Sequence, residues 1–226
     1  MARKGYQAQL AELRENVLYM SEVVLDRVRL GLRALAAKDD ELARKVIHGD
    51  HEINEMYLEL ERDCIDLFAL QQPVAGDLRF IAASFKIITD LERVADLATN
   101  LGDYTLQAER DLYPDVDVQG IGDAVVEMVD DAMEAYANED VEACFAIDAR
   151  DDEVDAMCER ASTTVVRDLI ETEIDDDSTE AEIEALLQEV SRLLLTIRDL
   201  ERVGDHAVNI AARTLYMVEN DDELIY

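Results

Sequence analysis

At 226 residues, the chain is long enough for one large domain or two small ones, each with a modest apolar core. Nearly half of the residues are hydrophobic, only two are proline and none is tryptophan, which favours packed helices over a turn-rich β architecture. The formal net charge of -33, from 54 acidic against 21 basic residues, excludes the broad basic surface that a nucleic-acid-binding protein needs.

The acidic residues are spread along the whole chain, and the only lysines are Lys4, Lys38, Lys45 and Lys86. At molar salt the Debye length falls to about 3 Å, so the self-repulsion of such a surface is screened. We therefore interpret most of the acidity as the salt adaptation of a halophilic organism and not as a device for binding partners.

The cysteines and the apolar segments indicate the compartment. Cys64, Cys144 and Cys158 are widely spaced and form no C-x-x-C pair, so they read as small core residues in a reducing cytoplasm. No apolar run approaches the roughly 20 residues that a membrane span requires. We predict a cytoplasmic protein with no membrane span.

Three helices are predicted in the first half. An aspartate in "AKDD", residues 37–40, caps a second helix that runs to about Leu70, where "QQPV" ends it. A third helix begins near Asp77. The first helix is marked by apolar residues at spacings of three and four, namely Leu10, Leu13, Val17, Met20, Val24, Val28, Leu32 and Leu35.

After "ERDLYPDVDVQG", residues 109–120, which has no periodicity and is interpreted as a linker, the helical pattern restarts. A fourth helix runs from Ile121 to Tyr136, and Asn138 is predicted to cap a fifth that extends to about Glu173. "DDDS", residues 175–178, is interpreted as a loop. Thr179 and Glu182 form a capping box that opens a long sixth helix.

The two halves contain an internal repeat. "DLERVADLATN", residues 90–100, matches "DLERVGDHAVN", residues 199–209, at 8 of 11 positions. Random pairing of residues gives a match at only about one position in ten, so chance is a poor explanation. The second helices also match, at a slightly different offset that an insertion in the following loop explains. We predict an all-α fold of two tandem three-helix bundles, at residues 1–109 and 120–226, joined by a linker at 110–119.

The repeated motif places carboxylates on an apolar helix face. Glu92 and Asp96 continue the apolar series of the third helix, and Glu201 and Asp205 do the same in the sixth. Like charges four residues apart repel, so a positive charge is expected nearby. One interpretation is a cation site. The alternative is a structural pairing across helices with Arg93 and Arg202.

The second helix of each half offers further oxygen donors. Asp151 and Asp155 form a D-x-x-x-D pair, and Asp50 with Asn54 is its counterpart in the first half. All-oxygen ligation favours hard ions such as magnesium, calcium, manganese or oxygen-bridged iron. A ferritin-like di-iron enzyme needs Glu-x-x-His turns, and the sequence has none. His206 is expected to be structural or to support the ligands, and not to be a ligand itself. The Walker A, dinucleotide-binding and metalloprotease motifs are also absent.

Two long segments carry a family resemblance. They are "QQPVAGDLRFIAASFKIITDLERVADLATN", residues 71–100, and "SRLLLTIRDLERVGDHAVNIA", residues 191–211. With "VIHGDHEINEM" and "DARDDEVDAM" on the second helices, they make the chain resemble the PhoU family of accessory regulators of phosphate transport. The resemblance covers essentially the entire chain.

This resemblance implies a non-enzymatic, cytoplasmic, often homodimeric protein with the two-bundle fold. It implies a negative regulator of phosphate uptake and homeostasis that acts on the ATPase subunit of the phosphate ABC transporter and, where present, on a sensor histidine kinase. A carboxylate-bridged metal enzyme and a purely structural scaffold stay open as alternatives.

The family's E(D)-x-x-x-D motifs bind metal clusters in some members, which implies iron, zinc, manganese, magnesium or calcium here. Three departures mark the first half, because Asn54, Ala95 and Leu97 stand opposite Asp155, Gly204 and His206. We therefore expect the second half to hold the better site. The candidate ligands are Glu92, Asp96, Glu201, Asp205, Asp151, Asp155, Asp50, Asn54, Asp90 and Asp199.

Overall fold

The structure, a computed structural model, describes residues 2–70, 74–108, 116–171 and 179–224. These residues form seven helices and no strand, which confirms the all-α prediction. The helices are α1 (Ala2–Ala37), α2 (Asp40–His48), α3 (Asp50–Leu70), α4 (Ala75–Gln107), α5 (Val118–Asn138), α6 (Val141–Glu171) and α7 (Glu180–Glu219).

The helices form two bundles, α1 to α4 and α5 to α7, that pack against each other through α4 with α7 and α1 with α5. The buried apolar residues form one connected cluster through both bundles. Helices α4 and α7 carry the repeated motif and contact helices of their own bundle as well as each other. The motif therefore lies at the centre of the molecule.

The second predicted helix is in fact two, because the chain breaks at Gly49 between α2 and α3. Arg27 of α1 inserts at this break, where its Nη1 donates to the carbonyl of Lys45 at 2.9 Å and its Nη2 lies 3.3 Å from Glu52. A Cβ atom on Gly49 would lie 1.5 Å from Arg27 Nη1. The missing side chain thus makes room for the arginine, and α3 begins at Asp50.

In the second bundle the corresponding helix, α6, is continuous. Arg150 takes the place that Gly49 has in the first half. Its guanidinium group reaches Glu127 at 2.5 Å and Asp131 at 3.0 Å, both on α5. The contact between the first and second helices is therefore kept, with the arginine on the other helix.

Two of the three predicted helix N-caps are present in the structure. Asp39 caps α2 by accepting from the amides of Glu41 and Leu42, and the Thr179–Glu182 capping box opens α7, so both predictions are confirmed. The prediction that Asn138 caps the fifth helix is wrong.

Asn138 is the last residue of α5, which ends because Glu139 has a left-handed conformation with φ of 58°. The next residue, Asp140, accepts from the Ala143 amide at 3.1 Å and caps α6 instead. An N-cap side chain must reach the second or third amide of its own helix, and Asn138 is two residues too early.

Other boundaries shift slightly. Helix α4 begins at Ala75, before Asp77, and α5 begins at Val118, inside the segment predicted as linker. Most of that linker and the "DDDS" loop lie outside the described residues. Over the described residues, no helix combines the length and the apolar character that crossing a membrane requires.

The buried face of α4 and α7 is rotated from its predicted position. Glu92 and Glu201 are half-buried and Asp96 and Asp205 are exposed, so they border the core instead of continuing it. Two residues predicted at the edge, Asp90 and Asp199, are buried, with exposures of 8% and 1%. The shift arises because each helix is also covered by the other bundle. The centre of the buried face follows Ile87, Leu91, Val94, Ala98 and Leu101 in α4, and Ile197, Leu200, Val203, Ala207 and Ile210 in α7.

Candidate cation sites

The first cluster consists of Asp50 at the start of α3, its neighbour Asn54, and Glu92 and Asp96 on α4. Burial raises the pKa of Glu92. The neighbouring carboxylates of Asp96 and Asp50 raise this pKa further, whereas Arg93 and His206 lower it. Desolvation and Asp50 also raise the pKa of Asp96, although much of this residue is exposed. The structure thus brings Asp50 to the two carboxylates of α4, because the break at Gly49 starts α3 beside them.

Asn54 interacts mainly within its own helix. Its Nδ2 donates to Asp50 Oδ2 at 2.7 Å. This hydrogen bond holds the Asp50 carboxylate and occupies one of its oxygens. The first cluster therefore has three carboxylates, one of them already bonded to an amide.

The second cluster consists of Asp151 and Asp155 on α6 and Glu201 and Asp205 on α7. Burial and then the carboxylates of Asp155 and Asp205 raise the pKa of Asp151 to about 6. Burial and Asp155 also raise the pKa of Glu201 and of Asp205, although His206 and Arg202 lower the pKa of Asp205. Because Asp155 raises the pKa of each of the other three carboxylates, the four lie near one another.

Asp151 is inserted more deeply than its cluster partners. Its Oδ1 atom is buried and accepts no hydrogen bond from any described residue. This oxygen lies 3.1 Å from the point that a Cβ on Gly204 would occupy. Glycine at position 204 therefore leaves the space that the oxygen uses. The first half has buried Ala95 at the equivalent position.

Cys158 lies behind the second cluster and is buried. Burial and the four nearby carboxylates raise the pKa of its thiol to about 12. The thiol is therefore protonated in the metal-free chain, and the four carboxylates in front of it supply oxygen donors.

Asp90 and Asp199 belong to neither cluster and instead join the two bundles. His206 Nδ1 lies 2.9 Å from Asp90 Oδ1, so the imidazole of α7 binds the carboxylate of α4. In the other direction, Asn100 Nδ2 and Tyr104 Oη of α4 donate to Asp199 Oδ2 at 3.0 and 2.8 Å. The candidate ligands predicted from the sequence therefore include residues with two different roles. The repeated motif carries both the cluster carboxylates and these buried carboxylates between the bundles.

Sequence reasoning missed Tyr104 and Asn100 as functional partners. Asn100 ends the repeated motif and is present in both copies, which was an available signal. Tyr104 lies beyond the motif and pairs with a residue 95 positions away, so nothing in the local pattern marks it. Burial and the Asp199 hydrogen bond raise the pKa of Tyr104 to about 12, which keeps its hydroxyl a donor.

Among the described residues, neither Arg93 nor Arg202 forms an ion pair within 4 Å with an acid of another helix, which the structural alternative expected. Arg202 Nη1 lies 3.6 Å from Asp199 of its own helix, which Arg198 also contacts at 3.1 Å. Arg202 lowers the pKa of Asp96 in the first cluster and of Asp205 in the second. It therefore lies between the clusters, which flank the contact of α4 with α7.

The donor chemistry fits hard cations, although the described side chains do not converge on one point. Among the described residues, no three His, Cys, Asp or Glu side chains are arranged to hold a metal ion. Carboxylates alone repel and do not converge. Each cluster nevertheless offers oxygen donors from two helices, and the second includes a buried Asp151 oxygen that no described residue hydrogen-bonds. Carboxylate oxygens are the ligands that Mg²⁺, Ca²⁺ and Mn²⁺ prefer.

The same architecture occurs in a known protein family. The family described as the PhoU domain matches twice, over residues 17–105 and 118–214, which corresponds to the two bundles. The chain belongs to the PhoU family. The double match agrees with the internal repeat and confirms the fold of tandem helical bundles.

Individual PhoU relatives match over nearly the full chain. A Pseudomonas putida protein named phosphate-specific transport system accessory protein PhoU homolog is 33% identical over 220 residues, covering 96% of this chain and 82% of that protein. A Methanothermobacter thermautotrophicus PhoU homolog 1 is 32% identical, covering 94% of each.

Solved PhoU structures have the same fold. The crystal structure of PhoU from Pseudomonas aeruginosa has a TM-score of 0.87 at 30% identity, covering 96% of this chain and all of that one. The phosphate transport system regulatory protein PhoU from Streptococcus pneumoniae has a TM-score of 0.84 at 25% identity, covering 96% and 98%.

Proposed function

We propose that this chain is a non-enzymatic regulator of phosphate transport whose two carboxylate clusters bind hard metal cations. The observation that carries the cation sites is the duplicated arrangement itself. In each bundle, acidic residues of two helices crowd together at the edge of the core and raise one another's pKa. The relatives named accessory and regulatory proteins of phosphate transport support the regulatory role.

The finer part of the proposal follows the family resemblance. The protein restrains phosphate uptake when phosphate is plentiful, by acting on the ATPase subunit of the phosphate ABC transporter and, where one exists, on a sensor histidine kinase. It works in the cytoplasm as a homodimer.

Bound cations would have a clear electrostatic effect in a chain of net charge -33. The first cluster would be held by Asp50, Glu92 and Asp96, and the second by Asp151, Asp155, Glu201 and Asp205. A cation supplies positive charge and neutralises carboxylates that otherwise repel. These residues then become a surface that an anionic group of a partner can approach.

The geometry favours binding over catalysis. A metal hydrolase or oxidase needs a general base positioned beside an open coordination site. His206, which adjoins both clusters, directs its Nδ1 at Asp90 and holds the bundles together. The nearby tyrosine, Tyr104, is likewise engaged, since its hydroxyl donates to Asp199.

The test is a quadruple variant that removes from each cluster the carboxylates of one helix. Its substitutions are Glu92→Ala and Asp96→Ala on α4, and Glu201→Ala and Asp205→Ala on α7. We expect the purified variant to lose most of the metal that elemental analysis detects in the parent protein. In phosphate-replete cells it should recover less of the transporter ATPase in a pulldown, and phosphate uptake should rise. The matched control removes four exposed acids outside the clusters, Glu22→Ala, Asp103→Ala, Glu134→Ala and Glu159→Ala.

The two parts of the proposal fail separately. Unchanged metal content in the quadruple variant would remove the cation sites. Absence of the transporter ATPase from pulldowns with the parent protein, at both low and high salt, would remove the proposed target.

A further inference from the structure

A cavity of about 300 Å³ lies beside the first cluster, in the contact between α4 and α7. Arg93 and Arg202, which stand at the same place in the two copies of the motif, both line it. Asp50 and Asp96 of the first cluster line it as well. The cavity thus combines two guanidinium groups from different bundles with the carboxylates of one proposed cation site.

The two arginines present their charge to this cavity. Both residues are exposed, and both lower the pKa of Asp96, so each guanidinium lies close to that carboxylate. Within the described residues, Arg93 forms no ion pair with a carboxylate closer than 4 Å, and the contact of Arg202 with Asp199 is long at 3.6 Å. Neither guanidinium is therefore saturated by a close partner.

The charge balance of the cavity depends on the cluster beside it. Three carboxylates, Asp50, Glu92 and Asp96, and two guanidinium groups leave a net formal charge of minus one. One divalent cation on the carboxylates changes this to plus one. Because an arginine offers five N–H donors in a planar fork that matches phosphate oxygens, a pair of arginines beside a cation recognises a tetrahedral oxyanion.

We propose that this cavity binds a phosphate group, using Arg93 and Arg202, once the first cluster holds a divalent cation. The inference rests on the proposed cation binding and extends it to a ligand. The volume suits a small ligand, since one water has a share of roughly 30 Å³ in the liquid and drug-sized pockets begin near 300 Å³. Inorganic phosphate fits with several waters, and the terminal phosphate of a nucleotide is the other source of the same chemistry.

The second cluster is the poorer place for an anion. Its four carboxylates carry a formal charge of minus four, so one divalent cation leaves them at minus two. The proposal therefore gives the two clusters different tasks. The second binds cations tightly, and the first, which has fewer charges and two arginines, binds a cation together with an oxyanion.

Equilibrium dialysis of the full chain against ³²P-labelled phosphate, with and without millimolar magnesium, tests the inference. Micromolar phosphate avoids precipitation of magnesium phosphate. We expect saturable binding with magnesium and at least about tenfold weaker binding without it, because a charged hydrogen bond contributes about 1.5–3 kcal/mol and 1.4 kcal/mol is tenfold. Arg93→Gln with Arg202→Gln should weaken phosphate binding at least about tenfold on the same basis.

Controls separate the site from general charge. The matched variant is Arg62→Gln with Arg167→Gln, which removes two exposed arginines away from the cavity and should bind phosphate normally. Arg93→Lys keeps the charge but loses the planar fork, and we expect an intermediate loss. Unlabelled ATP as competitor distinguishes the sources, because stronger competition than by unlabelled phosphate identifies a nucleotide as the preferred ligand. Thermal unfolding verifies that each variant is folded.

The outcomes distinguish this inference from the proposed function. Intact magnesium binding, measured by calorimetry, without phosphate binding would overturn the inference and leave the cation sites standing. Phosphate binding that survives Arg93→Gln with Arg202→Gln would overturn it too. No magnesium binding by the parent protein would overturn the cation sites, and the cation-dependent anion site with them.

Discussion

The first cluster has three carboxylates and an amide, whereas the second has four carboxylates and a glycine that admits one of them more deeply. The first lies between α3 and α4, and the second lies between α6 and α7. In the first bundle, however, Gly49 separates α2 from α3, and Asn54 donates a hydrogen bond to the carboxylate of Asp50. In the second, Asp151 has a buried oxygen that accepts no hydrogen bond from the described part of the chain. One repeated motif thus gives a relaxed site and a strained one, and the strained site gains more from a cation.

The buried carboxylates between the bundles provide the largest contrast. Asp199 accepts from Asn100 and Tyr104 and contacts two arginines, whereas Asp90 pairs with His206. We expect Asp199→Ala to lower the free energy of unfolding by about 2–4 kcal/mol, because buried donors lose their acceptor. Asp90→Ala should cost about half as much. Urea denaturation of both variants measures the difference.

An exposed acid provides the control for this pair. Asp103→Ala, on the same helix as Asp90, should change the stability by less than about 0.5 kcal/mol. Equal losses for Asp199→Ala and Asp90→Ala would contradict the assignment of the main contact between the bundles to Asp199.

Asn54 and Asp155 stand at equivalent positions of the two clusters, so giving each cluster the residue of the other should change their cation affinities in opposite directions. Asn54→Asp gives the first cluster a fourth carboxylate, and we expect its cation affinity to rise about tenfold, since ligand charge sets the affinity of oxygen sites. Asp155→Asn should weaken the second cluster by a similar factor. Calorimetric titration with magnesium measures both variants. Affinities that do not respond in opposite directions would show that these residues are not ligands.

Gly204→Ala should affect binding and stability in opposite directions. Its Cβ would lie 3.1 Å from Asp151 Oδ1, so the carboxylate must shift by a few tenths of an ångström. We expect cation affinity at the second cluster to fall severalfold, up to about tenfold. Helix propensity favours alanine over glycine by up to about 1 kcal/mol, so the stability without metal should hold or rise. Ala95→Gly in the first half is the matched control, and it should lose stability without changing affinity.

The pH dependence of stability should differ between the clusters as well. The pKa of Asp151 is about 6 in the folded chain, against about 3.9 for an unfolded aspartate. The folded state therefore binds more protons between these values, and stability falls as the pH rises from about 4 to about 6. Asp151→Asn should flatten this decline and raise the melting temperature at pH 7.

The first cluster offers the comparison for this effect. Asp50→Asn removes the equivalent charge from a carboxylate that already accepts a hydrogen bond from Asn54. Its gain in melting temperature at pH 7, measured by circular dichroism, should be smaller. A larger gain for Asp50→Asn would reverse the assignment of strain to the second cluster.

The sequence predicts local features well and long-range ones poorly. The helices follow from apolar spacings of three and four residues, and the Asp39 cap and the Thr179–Glu182 capping box follow from side chains that accept from the first amides of a helix. The structure confirms both caps. The break at Gly49 was not predicted, because it depends on Arg27 arriving from another helix. A glycine inside a periodic segment leaves both outcomes open.

The candidate sites show the same limit. The pairing of each acidic motif on a third helix with acids on a second helix is evident from the repeat, and the structure places them together. The rotation of the buried face, which moves Asp90 and Asp199 inward, could not be predicted from one helix at a time. It results from the contact between α4 and α7, where each helix covers a face that the other bundle leaves open.

The central claim is that both clusters bind cations and that the second binds them more tightly. Calorimetric titration with manganese of two double variants tests it most directly. Glu92→Ala with Asp96→Ala leaves only the second cluster intact, and Glu201→Ala with Asp205→Ala leaves only the first. We expect one remaining site in each variant, with binding at least about tenfold tighter in the variant that keeps the second cluster. Undiminished binding in both variants, or tighter binding in the variant that keeps the first cluster, would contradict it.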